Sequence, residues 1–228
     1  MCLRSPKHRL PLPRVPNLLL LLAICALAFS ACGGSESDGD GATKTPVTTL
    51  DCTATGESPR TALPCPSSEV VAGIVTVKTN LGSFEIELAT DSAPLTTSSF
   101  RSLVEAGFFD GLSFHRVVPE YVVQGGDPAG VAGGPGYQVV EPPPADTRYV
   151  KGIVAMAKTE LDPPGASGSQ FFVVTGAEAA LPPDYAILGT VVAGMGAVKA
   201  IEATGTAGVD GPPNRPVTIK SMTFKPTN

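Results

Sequence analysis

The sequence predicts a mainly β domain, an antiparallel sandwich or barrel that carries two helices. Three observations lead there. Several short stretches alternate apolar and polar side chains, the period-2 pattern of a strand with one buried face. Just two stretches carry the apolar stripe of a helix. Glycine-rich runs at 125–130 and 133–136 break up the strands. Many short strands with few helices fit an antiparallel sandwich or barrel.

The chain has 228 residues, room for one domain of ordinary size plus appendages. Arg4, Lys7, Arg9 and Arg14 lie in an acid-free start, and an almost unbroken apolar run follows from Leu18 to Phe29. A charged region followed by an apolar one reads as a secretory signal. The run is shorter than the ~20 residues a spanning helix needs. It ends Phe29-Ser30-Ala31-Cys32-Gly33-Gly34, which resembles a bacterial lipoprotein cleavage site. That resemblance implies a signal peptide over 1–31, a lipid on Cys32 and a mature protein held at the membrane outside the cytoplasm. Cleavage without lipidation would leave a secreted protein.

Removing 1–31 takes four of the 16 basic residues and none of the 21 acids, so 12 stand against 21, a net −9. A net acidic chain with no basic run argues against nucleic acid as a partner. It is also unsuited to anionic lipid, so any membrane tie is the lipid on Cys32. Residues 32–69 are rich in Ser, Thr, Gly, Asp and Pro and read as a flexible tether. Cys52 and Cys65 lie inside it. Outside the cytoplasm a disulfide between them is favoured over free thiols, and two thiols with no companion histidine fall short of a zinc site.

The domain is read over 70–228. Ile74-Val75-Thr76-Val77-Lys78-Thr79 alternates, Asn80-Leu81-Gly82-Ser83 supplies turn residues, and Phe84-Glu85-Ile86-Glu87-Leu88 alternates again, which predicts a hairpin. Asp91-Ser92-Ala93-Pro94 has the capping side chains and early proline of a helix start. Phe100, Leu103, Val104 and Phe108 give that helix a core stripe, and Gly107 ends it. Residues 152–157, 169–175 and 186–192 read as strands, with a loop over 162–168. Met195, Val198 and Ile201 mark the second helix, and the alternating 217–224 closes the chain. The glycine-rich runs lack the Gly-Lys-Ser/Thr of a phosphate loop and read as tight connections.

The stretch from Phe114 to Asp127 concentrates the chemistry. Read as one strand over Val117 to Gln124, it places Arg116 and Gln124 on one face. Pro119 cannot donate to a ladder and predicts a bulge that brings Tyr121 round to the same surface. A guanidinium and an amide beside apolar and aromatic side chains suit a neutral ligand with carbonyl oxygens. Other catalytic sets are missing. His115 is the one histidine outside the signal and reads as structural; no glycine-flanked serine appears, and the acids show no paired spacing.

One reaction needs no such set. Rotating an X-Pro amide breaks no σ bond, yet resonance makes it slow. An apolar pocket disfavours the charge-separated planar amide. A guanidinium aimed at the proline nitrogen gains a hydrogen bond as the twisted state recovers its lone pair.

The residues at this point resemble a known family. Phe114-His115-Arg116-Val117-Val118-Pro119, Gln124-Gly125-Gly126-Asp127, Met156-Ala157, Ser169-Gln170-Phe171-Phe172, Ser99-Phe100 and Leu188-Gly189 are similar to motifs of the cyclophilin-type peptidyl-prolyl cis-trans isomerases. The resemblance covers about 72 to 226. It implies a closed eight-stranded antiparallel β-barrel capped by two helices, working without cofactor or metal on proline-containing polypeptides. By position, Arg116 takes the catalytic role, with Gln124 orienting it and binding substrate. Tyr121, Val122, Phe172 and Leu181 take the walls of the proline pocket, and Ala157, Lys158 and Gln170 the groove for preceding residues. Tyr185 stands where many members have histidine.

The chain departs from the family at several positions. Tyr121 replaces a phenylalanine, Val122 a larger methionine and Lys158 an asparagine. Ala180 stands where cyclosporin-sensitive members have tryptophan, which predicts weak cyclosporin binding. The expected activity is prolyl isomerisation by a monomer assisting exported proteins. The alternative is a cyclophilin-like peptide-binding module with little turnover, and Arg116, Gln124 and Phe172 favour the enzyme. A lipocalin-like barrel leaves Arg116 without a role.

Overall fold

One strand lies where composition gave no sign of it. The computed structural model describes residues 52–54, 69–128 and 134–227; the expected signal, Cys32 and Cys65 fall outside them. Thr53–Ala54 forms β1 within the stretch read as tether, paired antiparallel with Gln138 and Tyr137. Cys52 beside it is disulfide-bonded and packs against the core. Glu69, the last tether residue, also serves the domain: its carbonyl accepts from Ser98 Oγ and from Arg101 Nη2, each at 3.1 Å. Parts of 32–69 thus belong to the folded body, because their backbone groups pair with it.

β2 (Gly73–Thr79) and β3 (Gly82–Leu88) form the predicted hairpin, with Thr79 opposite Gly82. Val75, Val77, Phe84 and Ile86 are its buried face. α1 (Pro94–Glu105) starts on the predicted proline, but no side chain at its N-cap residue, Ala93, caps it. Glu141 does so from a distance: Oε1 accepts the Leu95 N–H at 3.1 Å and Oε2 the Thr96 N–H at 2.8 Å. A carboxylate there also meets the positive end of the helix dipole. Gly107, at φ 66, ends the helix in a Schellman arrangement, with the Phe108 N–H bonded to the Leu103 carbonyl at 2.9 Å.

The stretch read as one bulged strand is a hairpin, β4 (Phe114–Val118) and β5 (Val122–Gly125). Proline's fixed φ suits a turn better than a strand. The chain reverses over 119–121, with Glu120 at φ 59 and the Tyr121 N–H on the Val118 carbonyl at 3.1 Å. The register slip lies instead at His115: Phe114 stands opposite Gly125 and Arg116 opposite Gln124.

Next come β6 (Tyr137–Val140), β7 (Tyr149–Val150), β8 (Ile153–Met156), β9 (Ala166–Ser167), β10 (Phe171–Val174), β11 (Glu178–Ala179), β12 (Ile187–Ala193), α2 (Met195–Glu202) and β13 (Ile219–Pro226). Eight strands make one antiparallel sheet in the order β13-β2-β3-β12-β8-β10-β5-β4. α1 packs on β13 and β12, and α2 on β3, β5 and β4.

The sheet curls until its edge strands come near. They share the Ser113–Thr218 bridge, flanked by the Phe114 N–H on the Val217 carbonyl at 2.9 Å and the Ile219 N–H on the Leu112 carbonyl at 2.7 Å. No ladder between β4 and β13 follows among the described residues. The Val117 N–H goes to the Gly211 carbonyl at 2.8 Å, and the Met222 N–H to Asp110 Oδ1 at 3.3 Å. The closed barrel expected from the sequence is therefore a half-barrel. Groups that a closing ladder would use are taken by residues 110 and 211.

Two apolar clusters fill the fold. The larger has Phe171 packed edge to face with Phe100, Phe109 and Phe114, the last at 5.7 Å and 81°. The smaller joins Val122, Tyr149, Ala155, Phe172, Val174 and Ala179, and it lies under the site.

Candidate active site

Sheet register builds the site. Arg116 stands opposite Gln124, Gln124 opposite Phe172, and Phe172 opposite Ala155, a row across β4, β5, β10 and β8. Residues opposite one another on neighbouring strands share a face, so the guanidinium, the amide and the phenyl ring are brought together. Arg116 Nη1 donates to Gln124 Oε1 at 3.0 Å, and Gln124 Nε2 donates to Gln170 Oε1 at 3.0 Å. The two residues meet as a cross-strand pair rather than as neighbours on one strand.

Arg116, Tyr121, Val122, Gln124, Ala157, Lys158, Phe172, Leu181 and Tyr185 line one pocket of about 160 Å³. The sequence had assigned each of them to the site. A second hollow of about 360 Å³ shares Gln124, Ala157 and Lys158 and adds Gln170, Tyr137 and Thr159. The first is walled by aromatic rings, with Phe172 and Tyr185 at 5.6 Å and 84°. The second continues from it past Gln124 and Lys158, so an extended chain can fill both. Tyr121 reaches the pocket because the 119–121 turn is pinned by the Thr175 N–H on the Tyr121 carbonyl at 2.9 Å. Gly176 makes that approach possible, since a Cβ there would collide with the Glu120 carbonyl oxygen.

The model of the family described as cyclophilin type peptidyl-prolyl cis-trans isomerase/CLD matches residues 74–224. The chain belongs to this family. It is a cyclophilin-type peptidyl-prolyl cis-trans isomerase. It is similar to peptidyl-prolyl cis-trans isomerase-like 1 of Gibberella zeae, 35% identical over 60% of this chain and 86% of that protein. It is similar also to peptidyl-prolyl cis-trans isomerase A of Mycobacterium tuberculosis, 34% identical over 69% of this chain and 95% of that one. A solved cyclophilin of Cryptosporidium parvum superposes with a TM-score of 0.60 at 25% identity, covering 69% of this chain and 99% of that one.

Three residues of this cyclophilin site carry no sequence signal. Asp210 grips Arg116 with both oxygens, taking Nε and Nη2 at 2.7 Å each. That bond holds the Asp210 carboxyl below its ordinary range, and it raises the guanidinium's already high value. Tyr149, fully buried, ties down Tyr185: its hydroxyl donates to the Tyr185 carbonyl at 2.8 Å and accepts the Tyr185 N–H at 3.0 Å. Glu202, at the end of α2, accepts the Glu120 N–H at 2.7 Å and braces the β4–β5 turn.

Lys158 lies along the groove wall. Its Nζ donates to the Thr159 and Asp162 carbonyls at 3.3 and 3.2 Å and sits 5.6 Å from the Tyr185 ring centroid. Burial raises the Tyr185 hydroxyl, so the ring is neutral at physiological pH. His115 is half-buried, with no hydrogen-bond partner for Nδ1. No cluster of three or more His, Cys, Asp or Glu side chains suited to a metal occurs among the described residues.

Proposed function

We propose that this cyclophilin isomerises X-Pro bonds in polypeptides that fold outside the cytoplasm, with Arg116 as the catalytic group. The observation that carries the reading is the Arg116 fork at the rim of an aromatic pocket, held by Gln124. The proline ring enters between Tyr121, Val122, Phe172 and Leu181. The preceding residues run along Ala157, Lys158 and Gln170. Burial of the ring strips water from the amide and disfavours its charge-separated planar form. As the bond twists, the proline nitrogen becomes pyramidal and basic, and an Arg116 N–H bonds to it. This bond is absent in the planar ground state, so it lowers the barrier rather than merely tightening binding.

Proline-containing peptides as substrates gain support from the relative of Cryptosporidium parvum whose structure was solved in the presence of the dipeptide Ala-Pro. Export and lipid attachment at Cys32 are supported by the basic start, the apolar run to Phe29 and the small residues before the cysteine. A single chain supplies the whole site, which suits a monomer. Two experiments test the reading. The protein should speed the refolding of a substrate protein limited by prolyl isomerisation. Mass spectrometry of the mature N-terminus should find a lipidated Cys32; an unmodified chain cut elsewhere would remove the anchor and leave a secreted enzyme.

A further inference from the structure

We propose that Asp210 is a positioning residue for the isomerase reaction: it fixes the rotation of the Arg116 guanidinium and so selects the N–H groups left for substrate. The inference rests on Arg116 as the group that meets the proline nitrogen. A guanidinium has five N–H donors in one plane. Asp210 takes one from Nε and one from Nη2, and Gln124 takes one from Nη1. One N–H on Nη1 and one on Nη2 remain. Three bonds at three corners of a planar group pin both its plane and its rotation. With Gln124 alone, the fork is free to turn about its Cδ–Nε bond.

The placement of Asp210 is built into the fold. The loop after α2 docks on β4 through the Val117 N–H bond to the Gly211 carbonyl, and these two residues directly follow Arg116 and Asp210 respectively. The Asn214 N–H closes that loop onto the Thr204 carbonyl at 2.7 Å, and Thr206 Oγ1 bonds Asn214 Oδ1 at 3.2 Å. Gly205 lies so close that a Cβ there would stand 2.7 Å from Val117 Cγ1. Asp210 therefore reaches Arg116 from a loop fastened to the same strand. The Asp210 side chain is 57% exposed, so the bridge adds little to folding stability. Its consequence lies in turnover.

The test is Asp210→Asn, made in the wild-type protein and in Arg116→Ala, with kcat and KM measured on a proline peptide. The expected result is a fall in kcat of about tenfold, the effect of losing 1.4 kcal/mol of transition-state stabilisation. KM should stay within about twofold, and Asp210→Asn should cause no further loss in the Arg116→Ala background. Asp210→Glu should restore part of the rate. By NMR, the Arg116 Nε–H should be slow to exchange in the wild type and fast in Asp210→Asn, whatever the effect on melting. Wild-type kcat in Asp210→Asn, an equal loss in both backgrounds, or an unchanged Nε–H signal overturns the inference. Wild-type turnover in Arg116→Ala overturns instead the reading beneath it.

Discussion

Gln124 faces Arg116 across the β4–β5 hairpin and relays: it accepts the Arg116 Nη1–H at 3.0 Å and passes its own Nε2–H to Gln170 at 3.0 Å. Gln124→Ala removes the acceptor and frees the third corner of the guanidinium. Charge-assisted bonds are worth about 1.5–3 kcal/mol, so turnover should fall by about tenfold or more. The change is at a half-buried surface, and circular dichroism should show the fold unchanged. Wild-type turnover would remove Gln124 from the catalytic group.

Phe172 is both pocket wall and core, 4% exposed and edge-on to Tyr185. Phe172→Ala should cost about 3–5 kcal/mol of stability and abolish measurable activity. Phe172→Leu keeps most of the volume, costs less in stability and still impairs proline binding. Urea unfolding beside steady-state kinetics separates the two losses.

Ala180 is exposed beside Leu181, and the sequence has no tryptophan. The wild-type protein should bind cyclosporin weakly, and Ala180→Trp should improve inhibition by tenfold or more. Nanomolar inhibition of the wild type would contradict this reading of the pocket rim.

Acidification should weaken the fold through His115. Burial lowers its pKa from 6.5, with Arg116 acting in the same direction and Asp127 opposing. The unfolded chain therefore takes up the proton first as pH falls. The stability that His115 contributes is complete above about pH 6.5 and declines as pH falls towards the folded-state value. The urea midpoint should drop between pH 7 and 5 by more in the wild type than in His115→Gln. Equal slopes would assign the effect to other groups. Asp210 acts lower on the scale: its carboxyl is held below 3.8, so the Arg116 bridge is lost only in stronger acid.

Much of the site was legible because its chemistry is carried by unusual residue types in apolar strands. Arg116, Gln124 and Tyr121 stood out for that reason, Phe172 entered through the family resemblance, and the structure gathers all four round one pocket. The 73–88 hairpin and both helices were legible from periodicity, helped by the turn residues at 80–83 and by the start and stop residues of the first helix. The 119–121 turn was not, because Glu120 occupies the left-handed region without the glycine or asparagine that normally signals it. Long-range partners left no local trace. Asp210 lies 94 residues from Arg116, and Glu141 caps α1 from 46 residues beyond Leu95. Strand β1 was hidden because Thr53 and Ala54, too few to show a period, pair through backbone groups, which composition does not report. Closure of the barrel was overestimated for a related reason: the edge of β4 is taken by Gly211, a loop residue with no strand pattern.

The central claim is that the Arg116 guanidinium lowers the barrier to rotation. A protease-coupled assay on an Ala-Pro-Phe peptide, comparing wild type with Arg116→Ala at equal concentration, tests it most directly. The account predicts that the substitution reduces kcat/KM by at least about a hundredfold, the scale of one lost transition-state hydrogen bond from a charged donor, with the fold intact. Equal rates for the two proteins would contradict it.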